Sequence, residues 1–176
     1  MTRKGVDART VAVTAIMIAV VAVFTLAIRV PFAPTRGYFN FSDVAIFFAA
    51  FAFGPWIGLI AGGVGAGLAD IIGGYAQFAL LTFFAHGLEG FVAGYVGRGG
   101  TLPRMLLGWA LGAIIMLGFY FVGEAFIFGM GVGPALGEAL TINIPQVVAG
   151  AIVGIPLVLA VRRAYPPITR IGPGGS

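Results

Sequence analysis

One histidine and one glutamate, three residues apart, carry the least expected chemistry in this sequence. His86 is the only histidine of the chain, and Glu89 follows it inside a long apolar stretch. Residues at i and i+3 share one face of an α-helix, so both side chains would point the same way, with Thr82 one turn earlier on that face. An ionisable group deep in a membrane span costs about 2.5–3.5 kcal/mol on insertion scales, and it therefore predicts a functional role.

Two interpretations of the His86–Glu89 pair are open on spacing alone. The pair could satisfy itself and fix the packing of its helix, or it could contact a ligand. A metal centre is disfavoured because the chain has a single histidine, no HExxH pair and no cysteine. The glycine cluster at residues 58–67 is not a phosphate-binding loop, because Lys4 is the only lysine and no Gly-Lys-Ser/Thr follows. We expect no catalytic residue, no metal and no cofactor.

The elements that must position these residues are membrane helices. The chain is 60% hydrophobic and only 9% charged, whereas soluble domains carry about 25% charged residues. Several apolar runs approach the ~20 residues that cross the hydrocarbon core of a bilayer. The sequence predicts an all-α integral membrane protein, with a single six-helix domain over residues 1–165 and a flexible tail over 166–176.

Basic residues predict how the six segments are oriented. The segments are expected at residues 10–28, Ser42–Phe53, 56–72, 77–96, 105–122 and 140–161. The second segment is short, and a re-entrant segment is the alternative. If it spans, most arginines and Lys4 lie on the same side as both termini, which the positive-inside rule identifies as cytoplasmic. We expect residues 29–41 to fold over the bundle and 125–137 to form a glycine-rich outer loop.

Under this topology the remaining polar side chains gather in the outer half of the bundle. An apolar pocket with a few convergent polar groups is typical of a small-molecule site. Asp70 could instead cap its helix, and Asn143 could be an N-cap. No charged path reaches the inner side, so the chain resembles neither a complete transporter nor a channel. The outer polar residues are Asn40, Asp70, Tyr75, Gln77, Tyr120, Glu124, Asn143 and Gln146.

The first segment carries a stripe of small residues on one helical face. Small residues allow close approach of another helix, which is a main source of helix association in lipid. The stripe could pack inside this protein's own bundle or dock a partner protein. Its members are Ala8, Ala12, Ala15, Ala19 and Ala22.

Three stretches together resemble the substrate-binding S-component of energy-coupling factor (ECF) vitamin transporters. They are GYFNFSD, AFAFGPWIGLIAGGVGAGLADIIGGY and LTFFAHGLEGFVAG, at residues 37–43, 50–75 and 81–94. The resemblance is close over residues 8–98 and is limited to layout over 99–165. The pairs Ala8/Ala12 and Ala15/Ala19 resemble the AxxxA docking motif of this family, which favours the docking interpretation.

The resemblance implies a six-helix, non-enzymatic membrane protein that captures a water-soluble vitamin or precursor. It also implies docking on a transmembrane coupling subunit driven by two ATPase subunits, in the plasma membrane of a prokaryote. Carboxylates with aromatic rings suit a nitrogen heterocycle of the hydroxymethylpyrimidine, thiamine or pyridoxine type. The positions that match the family's substrate site are Tyr38, Asn40, Gln77, His86, Glu89, Tyr120, Glu124, Asn143 and Gln146.

Two rival functions belong to other classes. An assembly subunit would use the polar face to contact another helix, would bind no small ligand, and would lose its complex on Glu89→Gln. An intramembrane enzyme would use His86, Glu89 and Asp70 as metal ligands or acid–base groups, and would lose turnover on His86→Ala.

Overall fold

The computed structural model describes residues 7–172, which form apolar helices and one small β-hairpin. Five helical stretches in this part of the chain are long and apolar enough to cross a membrane, which confirms the prediction of a helical membrane protein. They are Ala8–Ala27, Pro55–Gly73, Ala79–Gly97, Leu102–Ile127 and Val132–Ala164. The helices are α1 (Ala8–Ala27), α2 (Ser42–Phe53), α3 (Pro55–Gly73), α4 (Ala79–Gly97), α5 (Leu102–Val122), α6 (Val132–Glu138) and α7 (Ile144–Ala164).

The short helix α2 lies at the centre of the bundle. All of its 12 residues except Phe48 are buried, and it contacts α1, α3, α4 and α7. At 1.5 Å per residue it is only about 18 Å long, so it fills part of the depth of the bundle. Gly54, at a φ of 101°, makes the turn into α3, and Pro55 occupies the first turn of that helix, where a missing N–H costs nothing.

Helices α3 and α4 approach each other closely through glycine. A Cβ atom on Gly58 would lie 2.6 Å from the carbonyl oxygen of Gly90, and one on Gly90 would lie 2.5 Å from that of Gly58. A Cβ atom on Gly62 would meet the carbonyl oxygen of His86 at 2.5 Å. These contacts let the two helix backbones pack closely and fix the position of His86 along the axis of α3.

The connector between α1 and α2 folds into a hairpin that the sequence analysis did not predict. Strands β1 (Val30–Phe32) and β2 (Gly37–Phe39) pair antiparallel, with Pro31 opposite Tyr38. The Arg29 guanidinium donates a 3.0 Å hydrogen bond to the carbonyl oxygen of Gly73, which ties the start of the hairpin to the end of α3.

The expectation of an outer loop at residues 125–137 is wrong. Helix α5 continues as a π-helical turn over Gly123–Ile127, and α6 begins at Val132, so only residues 128–131 are irregular. A second π-helical turn, Ala139–Asn143, joins α6 to α7. Helical turns keep the backbone hydrogen bonds satisfied where the surroundings are apolar, and this requirement outweighs the glycine content of the stretch.

The N-terminal end of α1 and the C-terminal end of α7 lie together, since Arg9 donates a 3.4 Å hydrogen bond to the Tyr165 hydroxyl. Residues 166–176 were expected to form a flexible tail. Instead, Pro166–Arg170 forms a 3-10 helix, and Ile168 and Ile171 are buried against α1, α2 and α3. The burial of Ile168 and Ile171 stabilises this segment despite its proline and glycine content. Residues 173–176 lie outside the described part of the chain.

Candidate ligand-binding site

A narrow polar cavity, with a volume of about 20 Å³, lies between the hairpin and the helices α3 to α7. All five of these helices and the hairpin each contribute at least one polar side chain. Its lining residues are Thr25, Gly37, Tyr38, Asn40, Ala66, Asp70, Phe78, Thr82, His86, Tyr120, Glu124, Glu138, Asn143 and Gln146.

Three buried carboxyl groups give the cavity its acidic character. Asp70, Glu124 and Glu138 are each at most 2% exposed. Asp70 Oδ2, Glu138 Oε2 and both carboxyl oxygens of Glu124 have no hydrogen-bond partner, and Glu124 and Glu138 interact with each other. Neither lysine nor arginine is among the lining residues. Buried polar atoms require partners, so a ligand that fills this space has to supply hydrogen-bond donors.

The unpartnered donor in the cavity is the side-chain amide of Asn143, whose Nδ2 is buried without a hydrogen bond. It lies at the last position of the π-helical turn before α7. This one amide can bind an acceptor atom on a ligand. Even with this donor, most of the unpartnered polar atoms in the cavity are hydrogen-bond acceptors.

His86 lies at the bottom of the cavity and connects to a buried acidic pair. Its Nδ1 is 2.8 Å from Glu89 Oε2 and 3.4 Å from Asp43 Oδ1. Gln146 donates a 3.4 Å hydrogen bond to Asp43, and the Ser42 hydroxyl lies 3.2 Å from the same oxygen. The ligand-capable atoms of Asp43, His86 and Glu89 lie within 4.8 Å of one another, a spacing that either shared protons or a cation can bridge.

Thr82 and Tyr120 join α4 to α5 on the wall above His86. Their hydroxyl oxygens are 2.8 Å apart. The His86 and Tyr120 rings pack edge to face at a centroid distance of 5.7 Å. This contact limits rotation of the imidazole and presents an aromatic surface to the cavity.

The hairpin closes the cavity through Tyr38. Its hydroxyl donates a 2.5 Å hydrogen bond to Asp70 Oδ1, and burial together with the Asp70 carboxylate raises the pKa of the Tyr38 hydroxyl, so it remains a donor. The Arg29 guanidinium lies 5.9 Å from the ring centres of both Tyr38 and Tyr75. At the other edge, the backbone N–H of Asn40 donates a 2.9 Å hydrogen bond to Gln146 Oε1.

Most residues predicted from the sequence lie on the cavity wall, and two do not. Glu89 lies behind His86, to which it is hydrogen-bonded, and the side chain of Gln77 is exposed on the outside. The lining positions are Tyr38, Asn40, His86, Tyr120, Glu124, Asn143 and Gln146.

Sequence reasoning missed two acidic groups, Asp43 behind the cavity and Glu138 on its wall. The chain has only six acidic residues, so their rarity within apolar segments was an available signal. Asp70 and Thr82 also line the cavity; they drew attention in the sequence but were left out of the predicted set.

The alanine stripe of α1 faces away from the bundle. Helix α1 packs through Met17, Val21 and Thr25, and the stripe lies on the opposite face. Ala8, Ala12, Ala15 and Ala19 are exposed, and Ala22 is half-buried.

Comparisons with known proteins agree with this architecture. Residues 5–163 match the family model described as "ECF-type riboflavin transporter, S component". The chain is 40% identical over 149 residues to an uncharacterized protein of Pyrococcus woesei, covering 84% of this chain and 98% of that protein. It is 33% identical over 109 residues to the thiamine precursor transporter HmpT of Lactococcus lactis subsp. cremoris (strain MG1363), covering 61% and 60% of the two chains.

A solved structure shares the fold. The crystal structure of FolT bound with folic acid superposes with a TM-score of 0.63, covering 85% of this chain and 95% of that chain. At 20% sequence identity, this likeness supports the fold alone.

Proposed function

The chain belongs to the ECF-type riboflavin transporter S-component family, and from that premise we propose that it captures a donor-rich vitamin or vitamin precursor with high affinity. As a member of this family it is a membrane transport component and not an enzyme. The observation that carries the proposal is the cavity between the hairpin and the helices, whose unpartnered atoms are mainly carboxyl oxygens.

We favour a substrate of the hydroxymethylpyrimidine, thiamine or pyridoxine type. Amino and hydroxymethyl groups on a nitrogen heterocycle supply the donors that Asp70, Glu124 and Glu138 lack. The similarity to HmpT, a thiamine precursor transporter, supports the same choice. Folic acid carries two carboxyl groups of its own, and a cavity without lysine or arginine offers them no counter-charge.

The proposed substrate contacts follow from the cavity wall. Asp70, Glu124 and Glu138 would accept hydrogen bonds from the substrate, and Asn143 would donate one. Glu89 would act through His86, and Gln77 is left out because its side chain is exposed. The other proposed contacts are Tyr38, Asn40, His86, Tyr120 and Gln146.

The proposed topology has six membrane spans in one domain, with both termini cytoplasmic. The proximity of Arg9 to Tyr165 supports termini at the same end of the bundle. Arg98 and Arg162 lie at that end too, since they bind the carbonyl oxygens of Ile171 and Phe51. This excess of basic residues supports a cytoplasmic location for that end, and the relatives support a prokaryotic plasma membrane.

The proposed partners are a transmembrane coupling subunit and the two ATPase subunits of an ECF module. The exposed stripe Ala8, Ala12, Ala15, Ala19 and Ala22 would pack against the coupling subunit, since small side chains permit close helix contact. Release of substrate inside the cell would then depend on ATP hydrolysis by the partners.

The test is mass spectrometry of small molecules released from gently purified protein, followed by fluorescence titration. Trp109 is the reporter of choice, because its indole N–H donates a 2.8 Å hydrogen bond to the carbonyl oxygen of Val147, next to Gln146. A Trp56→Phe background removes the signal of the other tryptophan, which is 54% exposed. The panel contains hydroxymethylpyrimidine, thiamine, pyridoxine, riboflavin and folic acid.

We expect one of the first three compounds to bind tightly and to bind at least about tenfold more weakly after Glu124→Ala, the scale of one buried hydrogen bond. Preferential binding of riboflavin would keep the family function and overturn the proposed substrate class. A protein that binds nothing in the panel would favour the alternative of a non-catalytic assembly subunit.

A further inference from the structure

At the bottom of the cavity, the His86 ring lies against two buried carboxyl groups from different helices. Nδ1 is 2.8 Å from Glu89 Oε2 and 3.4 Å from Asp43 Oδ1. The Asp43 and Glu89 side chains are 1% and 0% exposed, and Asp43 Oδ2 and Glu89 Oε1 have no partner. The Nδ1 side of the ring therefore faces the carboxyl groups of Asp43 and Glu89. Nε2 is the ring nitrogen left for the cavity that His86 lines.

The charge of this buried triad decides which ring nitrogen carries a proton. A buried ion without a counter-charge costs several kcal/mol, so an arrangement of Asp43, His86 and Glu89 with zero net charge is favoured. Neither lysine nor arginine lines the cavity. Arg29 lies over Tyr38 and Tyr75 and interacts with Asp70, so it can compensate that carboxylate and not the triad.

Three arrangements of protons give zero net charge. In the first, both carboxyl groups are protonated and the ring is neutral; Glu89 then donates its O–H to Nδ1, and the ring proton is on Nε2. In the second, one carboxyl group is ionised and the ring carries protons on both nitrogens. Nε2 carries a proton in these two arrangements. In the third, the neutral ring carries its proton on Nδ1 and donates it to Glu89 Oε2, so the Glu89 proton would have to lie on Oε1. Oε1 is buried without a hydrogen-bond partner, so this arrangement leaves a buried O–H unsatisfied and is disfavoured.

We propose that Asp43 and Glu89 are positioning residues that hold His86 with a proton on Nε2, so that His86 donates a hydrogen bond into a cavity lined mainly by acceptors. The inference rests on the proposed function and narrows its substrate. The substrate would place an acceptor, such as a bare ring nitrogen, against His86, and its own donors against Asp70, Glu124 and Glu138. A heterocycle with an amino group beside a ring nitrogen presents both the acceptor for His86 and donors for the carboxyl groups.

The protonation state can be measured directly, because His86 is the only histidine. In protein labelled with ¹⁵N-histidine and held in lipid nanodiscs at pH 7, both ring signals belong to this residue without further assignment. We expect the Nε2 signal of a nitrogen that bears a proton, in the absence of any ligand. The signal of a bare Nε2 would overturn the proposal, whether or not a vitamin binds.

Ligand analogues test the direction of the hydrogen bond. The probes are hydroxymethylpyrimidine and its two aminopyridine analogues, each with one ring nitrogen replaced by C–H. We expect one analogue to bind wild-type protein about tenfold more weakly than the parent, the scale of a single hydrogen bond. This difference should disappear in His86→Ala and persist in Glu138→Gln, a lining residue outside the triad. Equal binding of all three probes by wild-type protein would overturn the proposal.

Metal analysis distinguishes a triad held together by shared protons from a triad that binds a metal ion. The three side chains could also coordinate a transition metal through Nδ1. We expect substoichiometric metal in protein purified without chelators. A metal present at one equivalent, and lost in His86→Ala, would overturn the proton-sharing arrangement. Failure of the whole panel to bind would refute the proposed function and leave the NMR result to decide the state of His86.

Discussion

The Tyr38 hydroxyl donates a 2.5 Å hydrogen bond to Asp70 Oδ1, across 32 positions in the sequence. This bond joins the β-hairpin to the C-terminal end of α3 and closes one edge of the cavity. Its acceptor, Asp70, also presents its second carboxyl oxygen without a partner. Asp70 therefore both holds the hairpin against the cavity and offers a free oxygen to the proposed substrate.

Removal of this bond should loosen the hairpin. We expect Tyr38→Phe to raise the substrate dissociation rate by about tenfold, because the part-buried hydrogen bond between the hairpin and the Asp70 carboxyl group is lost. Stopped-flow tryptophan fluorescence with the tightest ligand of the panel measures this rate. Tyr95→Phe is the matched control, since Tyr95 is 74% exposed; equal rates in the two variants would contradict the prediction.

The carboxyl pair on α5 and α6 should contribute strongly to affinity. We expect Glu124→Gln and Glu138→Gln each to weaken binding at least about tenfold, because each amide replaces an acceptor by a donor that faces the donors of the substrate. Equilibrium fluorescence titration measures the dissociation constants. Thermal unfolding of the free variants should show that each remains folded.

The sequence and the structure lead to different predictions for Gln77. The sequence pattern placed Gln77 among the substrate contacts, whereas the structure shows its side chain exposed and outside the cavity wall. We expect Gln77→Ala to change the dissociation constant less than about twofold, as is usual for a surface substitution. A tenfold loss of affinity would restore it to the site.

The glycine contact between α3 and α4 should control stability. We expect Gly58→Ala to lower the free energy of unfolding by about 1–3 kcal/mol, because its Cβ would lie 2.6 Å from the backbone oxygen of Gly90. Gly118→Ala on α5 is the control, since its added Cβ meets no atom within 4 Å beyond the local backbone of its own helix; it should be neutral or stabilise by up to about 1 kcal/mol. Denaturant titration in mild detergent provides both values, and equal stability of the two variants would refute the packing argument.

The alanine stripe should be required for transport and dispensable for substrate binding. We expect Ala15→Leu and Ala19→Leu to bind ligand normally and to lose most ATP-dependent uptake in cells that express an ECF module, because a bulky side chain prevents close helix contact. Ala160→Leu on α7, also an exposed alanine, should retain uptake. Normal uptake by both stripe variants would show that this face does not dock the coupling subunit.

Local patterns in the sequence were sufficient for much of the fold. Helix α2 has the predicted bounds, Ser42–Phe53, because Gly54-Pro55 ends any helix and an apolar run precedes it. The same local reasoning failed at residues 125–137, where glycine suggested a loop. There, π-helical turns continue the helices, because backbone groups in apolar surroundings must bond to each other.

Composition and local motifs were enough to predict a membrane protein, its family, and a short set of polar residues that apolar helices would not carry without a use. Which of these residues meet depends on how the helices pack. Asp43 and His86 are 43 positions apart, yet they lie 3.4 Å from each other, because glycine allows α3 and α4 to pack closely around the short helix α2. Spacing along one helix specifies a shared face, whereas contacts between helices depend on packing heights and rotations that no local pattern encodes.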